Sequence, residues 1–277
     1  MSNERLTLMA VHAHPDDEAS STGGVLARYA AEGVATVLVT CTDGRQGDGP
    51  GGTGPESPEH DPEAVVRMRR LELEASGRIL GIGTLETLGY FDSGMMGWSA
   101  NSAPGSFWTT PVQDAALRLA GLIRKHRPQV LVTYDENGFY GHPDHIQANR
   151  VTLAALDQLS PKEAPAKVYW TTVPRGTMED FGAHMRERGT DWPEASEDDE
   201  FRIGLPDDQI TTWIDVRDHV EQKYKALASH ASQPDNAFFT QLGLAEYTRF
   251  FGVETFSLVR DATGSSLPET DLFAGLR

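Results

Sequence analysis

Leu6-Thr7-Leu8-Met9-Ala10-Val11 runs directly into His12-Ala13-His14-Pro15-Asp16-Asp17-Glu18. An aliphatic run of this length that ends abruptly in polar residues reads as a buried strand delivering side chains at its carboxyl end. Outward from it, Ser20 to Glu32 carries Val25, Leu26, Tyr29 and Ala30 at helical spacing, and Gly33 stops the helix. Val34 to Cys41 is then a second strand. The resulting β-α-β unit crosses over right-handed and opens a Rossmann-like α/β fold, a mostly parallel sheet with helices on both faces. Ligands of such sheets sit outside the carboxyl ends of the strands, where these His and Asp residues fall.

A second stretch has the same form. Val130-Leu131-Val132-Thr133-Tyr134 is followed closely by Tyr140-Gly141-His142-Pro143-Asp144-His145. Two strand ends that each carry His-Pro-Asp predict one site assembled from both. Between them, Pro62 to Leu80 reads as a long helix with Pro at its start and Gly81 at its stop. Leu85 to Phe91 reads as a strand, and Val112 to His126 as an amphipathic helix closed by Pro128. His145 to Leu159 continues as helix from the second motif, and Lys167 to Val173 is a further strand. Thr190 to Asp208 is polar and acidic and reads as a solvated loop. Ile210 to Asp215, a helix through Val220, Tyr224 and Leu227, and a last strand at Glu254 to Val259 with a loose tail form a smaller C-terminal portion that completes the pocket. Without a repeat or a linker, residues 1–277 read as a single domain.

Composition narrows the function. A formal charge of −17 argues against nucleic acid, which requires clustered Lys and Arg, and against an anionic membrane surface. Cys41 is the lone cysteine, which excludes an intrachain disulfide and a Cys-rich zinc site and reads as a small core residue. No apolar run approaches the ~18 residues of a membrane span, and His12 and His14 interrupt the only candidate signal region; a cytoplasmic protein is expected. Gly47-x-Gly49-x-x-Gly52 matches a dinucleotide fingerprint in form. Pro50, Pro55 and Pro58 surround it and no helix opens at its last glycine, so it reads as a loop.

Histidine nitrogens and a carboxylate oxygen, with a position left for water, make a catalytic metal site. His14 and Asp17, three apart where the strand turns into a helix, are a candidate ligand pair with His145 as the third. The neighbouring Asp16 can accept a proton from metal-bound water, and His142 can serve as a cation or donor for a developing oxyanion. The pattern leaves open which of Asp16 and Asp17 binds the metal.

His14-Pro15-Asp16-Asp17-Glu18 with His142-Pro143-Asp144-His145 resembles the PIG-L/LmbE family of zinc-dependent N-deacetylases. Arg69-x-x-Glu72, Asp92-Ser93-Gly94-Met95, Thr133 to Gly138 and Ala226 to Gln233 are similar to its mycothiol-related branch. The resemblance implies His14, Asp17 and His145 as ligands of Zn²⁺, or of Fe²⁺, and Asp16 as general base. It implies His142 as electrophile or acid with Asp144 setting its tautomer, and Tyr140 as a group polarising the substrate carbonyl. Arg69 and Asp92 would face each other at the rim and grip a sugar or cyclitol ring. The expected reaction is removal of an N-acyl group, acetyl above all, from a small amino-sugar-like molecule by metal-bound water. Ser21 and Gly141 depart from the conjugate amidases of that branch and point toward the deacetylases. Two other readings are a mycothiol-conjugate-type amidase and a non-haem iron oxygenase using His14, Asp16 and His145 as a facial triad.

Overall fold

The computed structural model describes residues 5–190, 192 and 203–277. Strand β1 (Thr7–His12) is buried along its whole length, with Leu8 and Ala10 packed into one core and Met9 and Val11 into another on the opposite face. That two-sided burial is what a near-continuous apolar run encodes. Helix α1 (Asp17–Ala31) and strand β2 (Ala35–Thr42) complete the opening unit, and β2 lies parallel to β1. Helix α2 (Pro62–Leu80) starts with Pro62 behind the Asp61 cap, whose carboxylate accepts from the amides of Glu63 and Ala64, and ends at Gly81. Strand β3 (Thr84–Tyr90), helix α3 (Val112–His126) and strand β4 (Val130–Thr133) follow.

Helix α4 (Pro143–Leu156) leads to strand β5 (Lys167–Thr172) and helix α5 (Arg175–Glu187). Strand β6 (Thr212–Asp215), helices α6 (Val220–Ser229), α7 (Pro234–Thr240) and α8 (Leu244–Phe251), and strand β7 (Val253–Asp261) complete the order. The seven strands run β3-β2-β1-β4-β5-β7-β6. Only β7 is antiparallel, and it inserts between β5 and β6. Helices α1 and α6 cover one face and α3 and α4 the other. The acidic run 194–200, expected to be a solvated loop, lies outside the described residues.

The expected loose tail is corrected: Leu272 and Phe273 are fully buried in the first core, and Glu269 pairs with Lys167 beneath β5. Helix α5, unread in the sequence, buries Phe181 among Phe238, Phe239, Phe250 and Phe251. Among the described residues no helix is long and apolar enough to cross a membrane.

Candidate active site

Chain order reverses between β1 and β4: successive strands are added leftward from β1 to β3 and rightward from β4 to β5. The loops leaving β1 and β4 therefore diverge and open a crevice at their carboxyl ends. Both His-Pro-Asp motifs lie there. After β1 the chain turns through Asp16, whose φ of 113° is a left-handed conformation that a branched side chain seldom adopts. The turn is pinned because the Asp16 amide donates to Glu18 Oε2 at 2.9 Å. Glu18 is itself fully buried and accepts from Ser76 Oγ and from His230 Nε2, the latter at 2.8 Å. After β4 a tight turn spans Gly138–Gly141, with Phe139 at φ 67° and ψ −51°, a conformation costing on the order of 1–3 kcal/mol. Gly138 has no room for a side chain: a Cβ there would stand 2.7 Å from the His145 Cβ.

These turns bring His14, Asp16, Asp17, His142, Asp144 and His145 to one centre, which Asp92 joins from the end of β3. His14 Nδ1 lies 3.3 Å from His145 Nε2 and 3.4 Å from Asp17 Oδ2, and His145 Nε2 lies 3.5 Å from Asp17 Oδ1. On its other edge, His14 Nε2 sits 3.2 Å from Asp144 Oδ2 and 3.5 Å from Asp92 Oδ1. A proton on Nε2 satisfies those carboxylates, and the Nδ1 proton of a charged His14 points at His145 Nε2, where a bound cation would take its place. Two ring nitrogens 3.3 Å apart need either a shared proton or a cation between them. Tetrahedral zinc with bonds of ~2.0–2.1 Å has ligand atoms about 3.3–3.4 Å apart, so the donor spacing fits that ion. Among the described residues, the donor groups that could hold a metal are His14, His142 and His145, and His14, Asp92 and Asp144; Asp17 is in neither, its two oxygens approaching His14 and His145 separately, and the proton on His14 Nε2 disfavours the second group.

Burial works against a charge on His14, but Asp92, Asp144 and Asp17 outweigh it and hold its pKa well above the usual imidazole value. Burial pushes the other way on its neighbours: His145 falls to about 4 and His142 to about 2. His142 is therefore neutral. Its Nδ1 accepts the Asp144 amide proton at 3.1 Å, so Nε2 carries the ring proton. The adjacent carboxylates differ. Burial raises Asp16, only partly offset by Arg69. For Asp17, burial is more than offset by His145 and His14, and its pKa lies well below the usual range.

Asp144 reaches His142 through its backbone N–H; its carboxylate instead accepts from the Ser93 amide at 2.8 Å and from Ser93 Oγ. Arg69 and Asp92 both reach the site but take separate partners. Arg69 donates to the Pro15 and Gly44 carbonyls and to Asp16 Oδ2 at 3.1 Å. Asp92 accepts from the amides of Gly94 and Gln46. Tyr140 is 40% exposed at the mouth, its ring centred 5.1 Å from His145. The glycine-rich loop packs as a wall: Asp48 exchanges hydrogen bonds with Gln233, and a Cβ on Gly47 would stand 2.4 Å from Gln233 Oε1.

Asn236, whose amide donates to Asp16 Oδ2 at 3.0 Å, Glu18, His230, Ser93 and Tyr134 were given no role by the sequence alone. Their only signal is that most lie inside stretches that carried the family resemblance.

Residues 9–156 match the family model described as PIG-L, GlcNAc-PI de-N-acetylase, and the chain belongs to that family, whose amino-sugar N-deacetylation is its activity. A protein of Salinispora arenicola named 1D-myo-inositol 2-acetamido-2-deoxy-alpha-D-glucopyranoside deacetylase is 41% identical, over 97% of this chain and 91% of the relative. Among solved structures, the N,N'-diacetylchitobiose deacetylase of Pyrococcus horikoshii superposes with a TM-score of 0.63 at 18% identity, covering 92% of this chain and 84% of that one. The 4-carboxy-2-hydroxymuconate hydratase of Pseudomonas putida reaches 0.62 at 19%, over 95% and 99% of the two chains. At those identities the likeness concerns the fold, which evidently carries more than one chemistry. The iron-oxygenase reading is set aside by the family and by the parallel α/β sheet.

Proposed function

We propose that the protein is a zinc-dependent deacetylase that removes acetyl from an N-acetylglucosamine unit carried on inositol. The observation that carries this reading is the triangle of donor groups formed by His14, His145 and the Asp17 carboxylate, whose Oδ2 approaches His14 Nδ1 and whose Oδ1 approaches His145 Nε2, beside a second carboxylate, Asp16, with the opposite pKa direction. Near-full-length identity to deacetylases named for that substrate supports the choice of amino sugar.

In this reading His14 Nδ1, His145 Nε2 and the Asp17 carboxylate hold the ion. When bound, zinc supplies an acidified water and a Lewis acid for the amide carbonyl. Asp16 takes the proton from the attacking water: it is held in place by Arg69 and Asn236, and its raised pKa makes it a better base than its neighbour. His142, neutral with its proton on Nε2, donates to the oxygen that becomes negative in the tetrahedral intermediate. Tyr140, carried on the strained turn at the mouth, donates its hydroxyl to the same carbonyl. Asp144 fixes the His142 tautomer through its amide. The proton that Asp16 has taken passes to the departing amine, while the neutral His142 keeps its own as a hydrogen-bond donor. Arg69 and Asp92 border the hydroxyl-bearing ring of the substrate, and the whole chain acts as one unit because the site spans residues 14 to 236.

The test is amine release by metal-stripped protein reloaded with Zn²⁺ or Fe²⁺, on acetylglucosaminyl-inositol, free N-acetylglucosamine and a mycothiol conjugate. Zinc-dependent turnover with the inositol-linked sugar preferred is the expected result. Preference for the conjugate would establish the amidase instead, and higher activity with Fe²⁺ would reassign the metal.

A further inference from the structure

Tyr134 follows directly on β4, beside the donor triangle, and is 1% exposed. Its hydroxyl meets three groups: Asp17 Oδ2 at 2.7 Å, the Ala13 amide nitrogen at 2.9 Å and His12 Nδ1 at 3.1 Å. A phenol has one proton to give and two lone pairs to receive with. The Ala13 amide can only donate, and an ionised Asp17 can only accept. The phenolic proton therefore goes to Asp17, and His12 Nδ1 must be a donor. His12 Nε2 is then an acceptor, and Thr22 Oγ1 donates to it at 2.8 Å in preference to the Glu18 carbonyl at 3.2 Å. With that choice the directions all run one way, from Thr22 to His12 to Tyr134 to Asp17.

A buried tyrosine with a satisfied hydroxyl is ordinary in protein cores. What sets this one apart is where its proton ends. Asp17 Oδ2 receives the tyrosine proton and also the His14 amide proton at 2.7 Å. Among the described residues no hydrogen bond reaches Oδ1, the oxygen that faces His145 Nε2, whereas Oδ2, which takes both donors, is the oxygen 3.4 Å from His14 Nδ1. The terminal torsion of a carboxylate is soft and nearly two-fold, so without these two donors either oxygen could turn toward the centre. The same tyrosine ring stacks on His145, centroids 4.1 Å apart at 21°.

We propose that Thr22, His12 and Tyr134 form a positioning relay that locks Asp17 with one oxygen presented to the metal, and that Tyr134 sets two donors of the triangle at once. The proposal rests on Asp17 being a ligand. Partners that orient metal ligands are typically worth about 10–100-fold in metal affinity.

Tyr134→Phe keeps the stack on His145 and deletes only the hydroxyl. Zinc affinity of the metal-stripped full-length protein, measured by competition with a chelating dye, is expected to fall about 10–100-fold, while turnover at saturating zinc stays within a few-fold of the parent. Thr22→Val, at the far end and out of contact with the donors, is expected to weaken zinc by a smaller factor; it serves as the arbiter if Tyr134→Phe does not fold. Unchanged zinc affinity in both variants, with or without a lower melting temperature of the metal-free protein, would reduce the relay to core hydrogen bonding and overturn the proposal. Asp17→Ala is run beside them: if it keeps full zinc affinity, the ligand assignment itself has failed, an outcome distinct from a silent Tyr134→Phe.

Discussion

Asp17 and Glu18 are neighbours in sequence, yet each founds a histidine–carboxylate cluster of opposite character. The Glu18 carboxylate is complete within the protein: the Ser76 hydroxyl, His230 Nε2 and the Asp16 amide all donate to it. Around Asp17, two imidazole nitrogens face each other at 3.3 Å, close enough to share a proton or a cation. A buried carboxylate with its acceptors matched helps hold a fold together. Imidazoles and carboxylates that converge on one another make a place where a cation can replace a proton. The difference teaches which half of one short motif is scaffold and which half is chemistry.

The contrast is most easily broken at His145. His145→Ala should lose the bound ion and reduce activity to that of metal-stripped protein, while the melting temperature of the metal-free form changes little. Stoichiometric zinc retained in that variant, by elemental analysis, would dissolve the contrast. Next in size is Asp16→Asn. It should keep the ion and lose ~10²–10⁴ in kcat, the usual worth of a general base; loss of the metal would exchange the roles of Asp16 and Asp17.

Glu18→Ala tests the other cluster. It strands three donors, each costing ~1–3 kcal/mol when buried without a partner, so thermal unfolding should drop by many degrees with the ion retained. Because the Asp16 turn loses its anchor, kcat should fall too, and less than in Asp16→Asn. Metal lost in proportion to stability would mean that the two clusters are one. The smallest effect concerns pH. Burial opposes a charge on His230, but Glu18 outweighs it and its folded pKa is raised. The stability it contributes is present in full below its unfolded pKa of ~6.5 and is lost as pH rises through the raised folded value. The melting temperature of the parent should therefore decline over that range, and His230→Gln should flatten the decline.

How much of this was legible in the chain follows from the range of the interactions. Strand β1, helix α1 and strand β2 follow from apolar runs and a stop at Gly33, and α2 from its Pro62 and Gly81 punctuation, all local signals. Helix α5 and the packed tail were not legible, because Phe181, Leu272 and Phe273 are specified by residues remote in sequence. The site divides the same way. His14, Asp17, His142 and His145 stand out because charged residues at two strand ends are conspicuous. The partners of Glu18, Asp16 and Asp17 come from His230, Asn236 and Tyr134, separated from them by 212, 220 and 117 positions, and no periodicity carries that information. Arg69 was read as a substrate contact, and its guanidinium also meets Asp16, a partner that no local pattern announces.

The place of β7 has a consequence for how the molecule is made. The last strand of the sheet enters between two strands synthesised before it, β5 and β6, and chains emerge from synthesis amino end first. Until residues 253–261 arrive, β5 presents an open edge of the kind that recruits other chains, and β6 has no strand to pair with. A chain that ends before residue 236 also lacks the Asn236 donor to Asp16 and keeps only the one from Arg69, so the full support of that carboxylate comes late in synthesis, shortly before the strand that closes the sheet.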